Sequence, residues 1–348
     1  MPKYYTGKGI QSKDRQAASL PVPQTEKLRN PQYYIADSGL VDACNVAILL
    51  GKPILLTGAP GTGKTQFAYS LAWELGLSGP FKFETKSTST AKDLFYSFDA
   101  LRRFYDAHRG SNDIGGNQEL KNSQTHVDVT LSYLTFNALG KAILLSRSRT
   151  EDGIKDIWPS EFKDSGHQRS VVLIDEVDKA PRDFPNDILN ELELLYFRIP
   201  ELGNREVKAN AEFPPIVICT SNSEKDLPDA FLRRCLYYHI PFPERERLTQ
   251  IISNRIGIHI REDNSFAKAL DFFYRLRNPS LGLRKPPSTA ELLDWLMALQ
   301  GLSNDEANPL NEPKIVLRTL CNLVKNQEDQ RRAKEEAKAW LNQWSSKP

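Results

Sequence analysis

Residues 58–65 read Gly58-Ala59-Pro60-Gly61-Thr62-Gly63-Lys64-Thr65, which fits G-x-x-x-x-G-K-[ST], the pattern of a phosphate-binding loop. Glycines let the backbone curl so that successive N–H groups point at phosphate oxygens, and a following helix presents its positive N-terminal end. The apolar run from Pro53 to Gly58 is typical of a buried parallel strand, and residues Gln66 to Leu75 have helical spacing. The stretch therefore predicts a strand, a phosphate-binding loop and a helix.

Two side chains of this loop have a predicted chemical role. Lys64 is long enough to reach the β- and γ-phosphates of a nucleotide, and the Thr65 hydroxyl is a suitable ligand for Mg²⁺. The predicted nucleotide-binding residues are Gly58, Ala59, Pro60, Gly61, Thr62, Gly63, Lys64, Thr65 and Gln66.

A second apolar strand, Val171–Ile174, delivers two carboxylates, Asp175 and Glu176, at its C-terminal end. Ligands of open α/β sheets bind at that edge. Successive side chains of a strand point to opposite sides, so the two acids can hold separate roles. We expect Asp175 in the Mg²⁺ shell and Glu176 as the general base that polarises the attacking water.

A third apolar run, Ile216–Thr220, is followed by Asn222. Its amide is placed to orient the lytic water or to touch the γ-phosphate; the alternative is an asparagine that caps the following turn. Because these strands alternate with helical patterns, we expect a parallel sheet covered by helices on both faces.

Four stretches, in this order, resemble the AAA+ ATPases: GAPGTGKT, LIDEVDKAP, ICTSN and LPDAFLRRC. Two longer stretches, IDEVDKAPRDFPNDILNELE and LRKPPSTAELLDW, are most similar to the MoxR branch of that family. The resemblance runs from about Tyr33 to Leu302. It implies a three-layer αβα P-loop ATPase domain with a parallel sheet, followed by a small all-helical lid. It also implies homo-oligomeric rings, often hexameric, that bind ATP between subunits.

The resemblance also implies roles for single residues. Lys64 and Thr65 would contact nucleotide and metal, Asp175 the Mg²⁺, Glu176 would be the base, and Asn222 the first sensor. Arg234 occupies the position of the arginine finger, which neutralises charge on the γ-phosphate of a neighbouring subunit. Arg233 is the second candidate, and the alternative is an arginine pair in surface salt bridges.

Two further nucleotide contacts are expected from the same resemblance. The adenine is expected to contact the segment around Ile35. The lid motif that normally supplies an arginine has Thr289 or Ala290 at that point, which leaves Arg284, just upstream, as the candidate for the second sensor.

The predicted domain organisation has three parts. Residues 1–30 carry few apolar positions and are interpreted as an arm or linker. Residues 31–244 form the ATPase domain, with insertions around 93–128 and 146–168, and a hairpin insertion like that of the MoxR branch is expected at Asp93–Asp106. Within this domain, the apolar residues of Asp187–Leu195 have helical spacing and predict a helix. Residues 245–348 form the helical lid and a C-terminal helix.

Composition narrows the function classes. The chain has 348 residues with a formal net charge of +2, so no global charge excess favours nucleic acid or an anionic membrane. Four scattered cysteines suggest neither a disulfide framework nor a zinc site. Neither a signal peptide nor an apolar run long enough for a membrane helix is found, so we expect a cytoplasmic protein.

The sequence therefore predicts Mg²⁺-dependent ATP hydrolysis, with ATP and Mg²⁺ as the bound groups. The leading hypothesis is a MoxR-type, chaperone-like ATPase that remodels a protein partner, and the resemblance implies a partner with a von Willebrand A domain. The alternative is a nucleic-acid motor or a component of a restriction or defence system. A non-catalytic nucleotide switch is a third hypothesis, disfavoured by the presence of Asp175, Glu176 and Asn222.

Overall fold

The structure, a computed structural model, describes residues 22, 25–112, 129–159, 162, 166–222, 225–261, 264–303, 309–312 and 314–345. It divides into two compact units. One, here called the α/β unit, contains residues 36–58 and 63–240. The other, the helical unit, contains the described residues before 36, residues 59–62 and those from 241 onward. The domain bounds expected from the sequence stay a prediction.

The strands are β1 (Ile54–Thr57), β2 (Ser78–Glu84), β3 (Tyr96–Phe98), β4 (Leu134–Phe136), β5 (Ser170–Asp175), β6 (Tyr196–Ile199), β7 (Arg205–Lys208), β8 (Ile216–Thr220) and β9 (Leu236–His239). Five of them form one sheet in the order β2-β5-β8-β1-β9, and every neighbouring pair in it is parallel. Strands β1 and β5 are buried along their whole length, as expected for the centre of a covered sheet. The predicted parallel sheet is confirmed.

The helices of the α/β unit are α2 (Ser38–Leu50), α3 (Lys64–Glu74), α4 (Ala91–Phe95), α5 (Ala100–Asn112), α6 (Ala138–Leu145), α7 (Phe184–Asp187), α8 (Leu189–Leu194) and α9 (Asp229–Arg234). Helix α2 packs against β9, α3 against β2 and β5, and α6 against β2 and β5. The sheet and its flanking helices fit the expected αβα ATPase domain. The helix predicted over Asp187–Leu195 is confirmed over Leu189–Leu194, while Asp187 ends α7 and Ile188 separates the two helices.

The segment between α4 and α6 contains a two-stranded sheet that is separate from the five-stranded one. The hairpin expected within Asp93–Asp106 is wrong: β3 is followed by α5, and its antiparallel partner is β4, much later in the chain. Of the insertion expected around 93–128, residues 113–128 lie outside the described part of the chain. The aromatic side chains around this segment differ in exposure: Phe95 and Tyr96 are buried, whereas Phe104 and Tyr105 are exposed.

A second antiparallel pair, β6 and β7, follows α8 and has no counterpart in the sequence-based expectations. Phe197 of β6 packs among Phe95, Tyr96 and Phe136, with ring centroids 5.4–6.2 Å apart. Glu201, just after β6, accepts hydrogen bonds from the Tyr96 hydroxyl (2.8 Å) and the Lys92 ammonium (2.6 Å). The hairpin and the base of the β3–β4 segment therefore share one packed cluster.

The insertion expected around 146–168 is only partly a surface segment. Ile154, Ile157 and Trp158 are buried in the core of the α/β unit. Burial of apolar side chains outweighs the polar composition of the stretch, so these positions belong to the core.

The helical unit contains α1 (Thr25–Arg29), α10 (Arg245–Ile256), α11 (Ser265–Arg277), α12 (Thr289–Leu302), α13 (Lys314–Thr319) and α14 (Gln327–Ser345). Phe272 packs between Trp295 and Trp340 in its core, and the Trp295 indole N–H donates to Thr319 Oγ1 at 2.9 Å. Helix α1 lies within residues 1–30, which were expected to be a linker; residues 1–21 and 23–24 are outside the described part. The helical character expected after residue 244 is confirmed.

Candidate functional site

The loop that joins β1 to α3 has the backbone that its glycines predict. Gly58, Gly61 and Gly63 have φ angles of 144°, 77° and 94°, in a region that side chains rarely tolerate. Helix α3 begins at Lys64, so its first N–H groups face the loop without intrahelical partners. The Lys64 ammonium donates to the Gly58 carbonyl at 2.8 Å. Burial lowers the pKa of Lys64, although the carboxylates of Asp178, Asp175 and Glu176 oppose that effect.

Asp175, the last residue of β5, is 6 % exposed and collects donors from three elements. Its Oδ1 accepts from the Thr65 hydroxyl (2.9 Å) and from the Thr220 hydroxyl (2.7 Å), and its Oδ2 lies 2.9 Å from the Lys82 ammonium. Burial alone raises the pKa of Asp175, but the hydrogen bonds from Thr220, Lys82 and Thr65 outweigh it and leave the pKa below its ordinary value. Asp175 is therefore a buried, ionised carboxylate.

Glu176 follows Asp175 in a left-handed backbone conformation, with φ 58° and ψ 51°, which is uncommon for a residue with a side chain. Its backbone N–H donates to Thr220 Oγ1 at 2.9 Å. Its Oε1 accepts from the Asn222 amide at 3.1 Å, and its Oε2 pairs with the Lys179 ammonium. Glu176 therefore combines an uncommon backbone conformation with a carboxylate whose two oxygens both have partners. Strained backbone conformations of this kind cluster at functional sites.

The structure brings together five residues that the sequence singled out. Lys64, Thr65, Asp175, Glu176 and Asn222 come from the first turn of α3 and from the C-terminal ends of β5 and β8. Neighbouring parallel strands end at the same edge of the sheet, which explains why these separate motifs meet. Gln66, in the first turn of α3, is half-buried, and its Oε1 has no hydrogen-bond partner among the described residues.

The remaining predicted residues make other described contacts. Arg234 ends α9 and pairs with Glu193 of α8 at 2.7 Å, whereas Arg233 is exposed. Ile35 belongs to the helical unit, where its carbonyl accepts from Arg247 at 3.1 Å.

Arg284 also belongs to the helical unit. It pairs with Glu328 of α14 at 2.7 Å, and its backbone N–H donates to Asp329. Its described contacts are thus structural ones with the C-terminal helix.

Three participants were missed from the sequence. Thr220 bonds to both Asp175 and Glu176, and Lys82 pairs with Asp175. Asp178, only 2 % exposed, accepts from the Asn222 backbone N–H at 3.1 Å. The signals were present but weak: Lys82 and Glu84 alternate with phenylalanines at a strand end, and Thr220 is the hydroxyl that ends a buried strand.

The family comparison can now be set beside this geometry. The family model of AAA, the ATPase family associated with various cellular activities, matches residues 54–243, which is more than half of the chain. The chain belongs to the AAA family. This AAA protein is accordingly an ATPase, and the matched residues contain the loop, both carboxylates and Asn222. Among curated proteins no match was found.

Mg²⁺ is the metal that AAA ATPases typically use, and the donors present suit it. The Thr65 hydroxyl and Asp175 Oδ1 are 2.9 Å apart, so a hydroxyl and a carboxylate oxygen meet at the end of the phosphate-binding loop. Mg²⁺ takes one or two protein oxygens and completes its shell with water and phosphate, so it needs no cage of side chains. Within the described residues, no three His, Cys, Asp or Glu side chains are grouped so that they could hold a metal.

Within the same described part of the chain, none of the helices of this AAA protein has both the length and the apolar character needed to cross a membrane.

Proposed function

We propose that this AAA ATPase is a MoxR-type remodelling enzyme, which couples Mg²⁺-dependent ATP hydrolysis to a conformational change in a protein partner. The observation that carries the catalytic part is the meeting of Thr65, Asp175, Glu176 and Asn222 at one edge of the sheet. The remodelling part is supported by the resemblance in residues 174–193 and 283–295. A partner with a von Willebrand A domain, and a cytoplasmic location, come from sequence reasoning alone.

In the proposed mechanism Lys64 and Thr65 bind the nucleotide. The Lys64 ammonium exchanges the Gly58 carbonyl for phosphate oxygens, which compensates the cost of its burial. Thr65 and Asp175 would hold Mg²⁺, whose charge offsets that of the phosphates. Thr220 fixes Asp175 by donating to its Oδ1.

Glu176 is the proposed general base. Asn222 and Lys179 contact one carboxylate oxygen each, so they set the direction in which Glu176 can accept a proton from water. The left-handed backbone turns the side chain of residue 176 away from the strand register of Asp175. The two adjacent acids thereby serve the metal and the water separately.

The direct test is Glu176→Gln. The amide keeps the shape of the side chain but cannot take the proton, so nucleotide binding should persist while turnover falls about 10²–10⁴-fold. ATP binding and phosphate release are measured on the same preparation. Glu212→Gln, an exposed acid of the α/β unit, is the matched control and should keep full turnover. Turnover of Glu176→Gln within about threefold of the unchanged protein would assign the base elsewhere.

We also propose that the protein works as a ring, in which Arg234 acts on ATP held by the adjacent subunit. AAA proteins commonly form such rings, and Arg234 lies on α9 against Glu193 rather than among the described contacts of the phosphate loop. Arg234→Ala should bind ATP and lose turnover. Mixing it with Lys64→Ala, which still offers the arginine, should restore part of the activity.

Arg233→Ala separates the two arginines of α9, and it should keep turnover if Arg234 is the finger. Absence of recovered activity in mixtures whose mixed oligomers are demonstrated would make Arg234 a cis-acting or structural residue. Ile35 as adenine contact and Arg284 as second sensor stay proposals of lower priority, because their described contacts are within the helical unit.

One observation favours the nucleic-acid alternative. Helix α5 exposes Phe104 and Tyr105 next to Arg102 and Arg103, a combination on which single strands can stack. Single-stranded DNA should then stimulate ATP hydrolysis, and the stimulation should fall as salt rises. ATPase rates that do not respond to DNA at low salt would leave the protein-remodelling proposal standing alone.

A further inference from the structure

A lysine forms an ion pair with Asp175, the carboxylate of the candidate magnesium site. Lys82 comes from β2, the strand next to β5, and its ammonium is 2.9 Å from Asp175 Oδ2. The side chain of Lys82 is 32 % exposed and that of Asp175 is 8 % exposed, so solvent screens the pair only in part. The negative charge of Asp175 is thus balanced by a side chain of the protein itself.

A second carboxylate stands within reach of the same ammonium. Glu84 Oε1 is 3.9 Å from Lys82 Nζ, and the Glu84 side chain is 67 % exposed. Lys82 and Glu84 are two residues apart on one strand, so their side chains share a face of the sheet. In the register of β2 and β5, Glu84 lies opposite Asp175 and Lys82 lies opposite Leu173. The three charged residues therefore occupy neighbouring positions of two paired strands.

A cavity lies beside these charged groups. Lys82 and Glu84 line a cavity of about 490 Å³ that also contains Lys86, Ser89 and Lys141. Lys82 and Glu84 thus share one cavity, and the distance from the ammonium to Glu84 Oε1 is 3.9 Å.

We propose that Lys82 is a positioning residue of the magnesium site: it balances Asp175 until metal and nucleotide arrive together, and then transfers its ion pair to Glu84. The inference rests on the proposed use of Thr65 and Asp175 as metal ligands. A free divalent cation has to compete with a tethered ammonium for Asp175 and binds weakly. A cation that arrives with a polyphosphate has the contacts of the loop in addition, and Lys82 gives way.

The test is the binding of Mn²⁺, a spectroscopically visible substitute for Mg²⁺, to the nucleotide-free protein. The concentration of free Mn²⁺ is measured by electron paramagnetic resonance while the protein is titrated with Mn²⁺. Lys82→Met should bind Mn²⁺ at least about tenfold more tightly than the unchanged protein, because a cation close to the site has been removed. Lys82→Arg keeps the charge and should restore weak binding.

Lys86→Met is the matched control, since it removes a lysine of the same cavity that has no described contact with Asp175. Its Mn²⁺ affinity should stay unchanged, which separates a local effect from a general change of charge. Lys82→Gln serves as a second neutral variant that retains a polar group for Asp175 if the methionine variant folds poorly. Equal Mn²⁺ affinities for Lys82→Met, Lys82→Gln and Lys86→Met would overturn the proposal.

Glu84→Gln tests the second half of the proposal. With no carboxylate to receive it, the ammonium should stay on Asp175, so Mg²⁺ should improve ADP affinity several-fold less than in the unchanged protein. ADP affinity without metal should be equal in both proteins. If Mg²⁺ improves ADP binding equally in both, the transfer to Glu84 is wrong. If the unchanged protein gains no ADP affinity from Mg²⁺, the magnesium site itself fails, and with it the proposed function.

Discussion

Buried charges have different partners in the two units. In the α/β unit, Lys64 and Asp175 are each 6 % exposed; in the helical unit, Arg255 is 6 % and Asp329 0 % exposed. Asp175 is held by side chains, those of Thr65, Thr220 and Lys82. Such partners can rotate away and be exchanged for a ligand.

The charges of the helical unit contact the backbone of distant segments. Arg255 Nη1 donates to the carbonyls of Leu28 and Asn30, at 2.6 and 2.9 Å. Asp329 accepts from the backbone N–H groups of Arg284 and Lys285, at 3.0 and 3.1 Å. Each of these contacts joins segments at least 44 residues apart in the chain and so fixes them to each other, whereas the Gly58 carbonyl that Lys64 contacts is only six residues away. Equal burial therefore supports binding in one unit and stability in the other.

The strongest test of this contrast is Lys64→Ala. Loss of the ammonium and of its reach should lower ATP affinity more than about hundredfold, because phosphate contacts of a charged group are lost. The melting temperature without nucleotide should change little. Fluorescent ATP binding and thermal unfolding by circular dichroism measure the two effects. Unchanged ATP affinity would remove the phosphate-loop assignment.

Asp329→Ala should show the opposite pattern. It leaves the N–H groups of Arg284 and Lys285 without this buried acceptor, which costs about 2–4 kcal/mol of unfolding free energy. Urea unfolding followed at the tryptophans measures it. Glu335→Ala, on the exposed side of the same helix, is the control and should cost less than about 0.5 kcal/mol. Equal losses for both variants would show that the Asp329 contacts do not tie the segments together.

Arg255→Met is expected to have a smaller effect. The apolar stem of the side chain is kept, while two carbonyl acceptors lose their donor, so we expect a loss of about 1–3 kcal/mol. Burial lowers the pKa of Arg255. If unfolding is unchanged, the segment before Pro31 is not held by this arginine.

The smallest effect is one of pH. Burial alone raises the pKa of Asp329, but hydrogen bonds from Arg284, Asn326 and Lys285 outweigh it and lower the pKa below its unfolded value. A lowered carboxyl pKa stabilises the folded state above the unfolded pKa of about 3.9, and this contribution is lost as the pH falls toward the folded value. The difference in melting temperature between the unchanged protein and Asp329→Asn should therefore narrow below about pH 5. A melting-temperature difference that stays constant down to pH 3.5 would contradict this expectation.

The comparison also shows what sequence reasoning can reach. Strands β1, β5 and β8 were predicted because their apolar runs are continuous, and Lys64, Thr65, Asp175 and Glu176 because their spacing is fixed by chemistry. Strand β9 was missed, since Leu236–His239 alternates half-buried with exposed residues at the edge of the sheet. The β6–β7 hairpin was missed too, although Gly203-Asn204 between two alternating runs is a turn signal.

The site was incomplete for a different reason. Lys82 and Thr220 reach Asp175 only because β2, β5 and β8 are neighbours in the sheet, and the chain order β2, β5, β8 does not by itself state that adjacency. The register that places Glu84 opposite Asp175 and Cys219 opposite Ile174 is likewise a property of pairing. Side chains whose role depends on strand neighbours have only a weak local signature.

The segment between Phe95 and Asn137 has a consequence for protein engineering. Its ends meet, because the Asn137 N–H donates to the Phe95 carbonyl at 2.8 Å and Tyr96 pairs with Phe136 in the ladder of β3 and β4. A Cβ on Gly140 would lie 2.0 Å from the same carbonyl, so the close approach requires glycine there. Loops that leave and re-enter at one point can be shortened or exchanged at small entropic cost. A shorter turn or a foreign recognition module grafted between Phe98 and Leu134, the far end of this ladder, would keep Tyr96 and Phe136 in their cluster with Phe197, and the ATPase sheet would keep its connections.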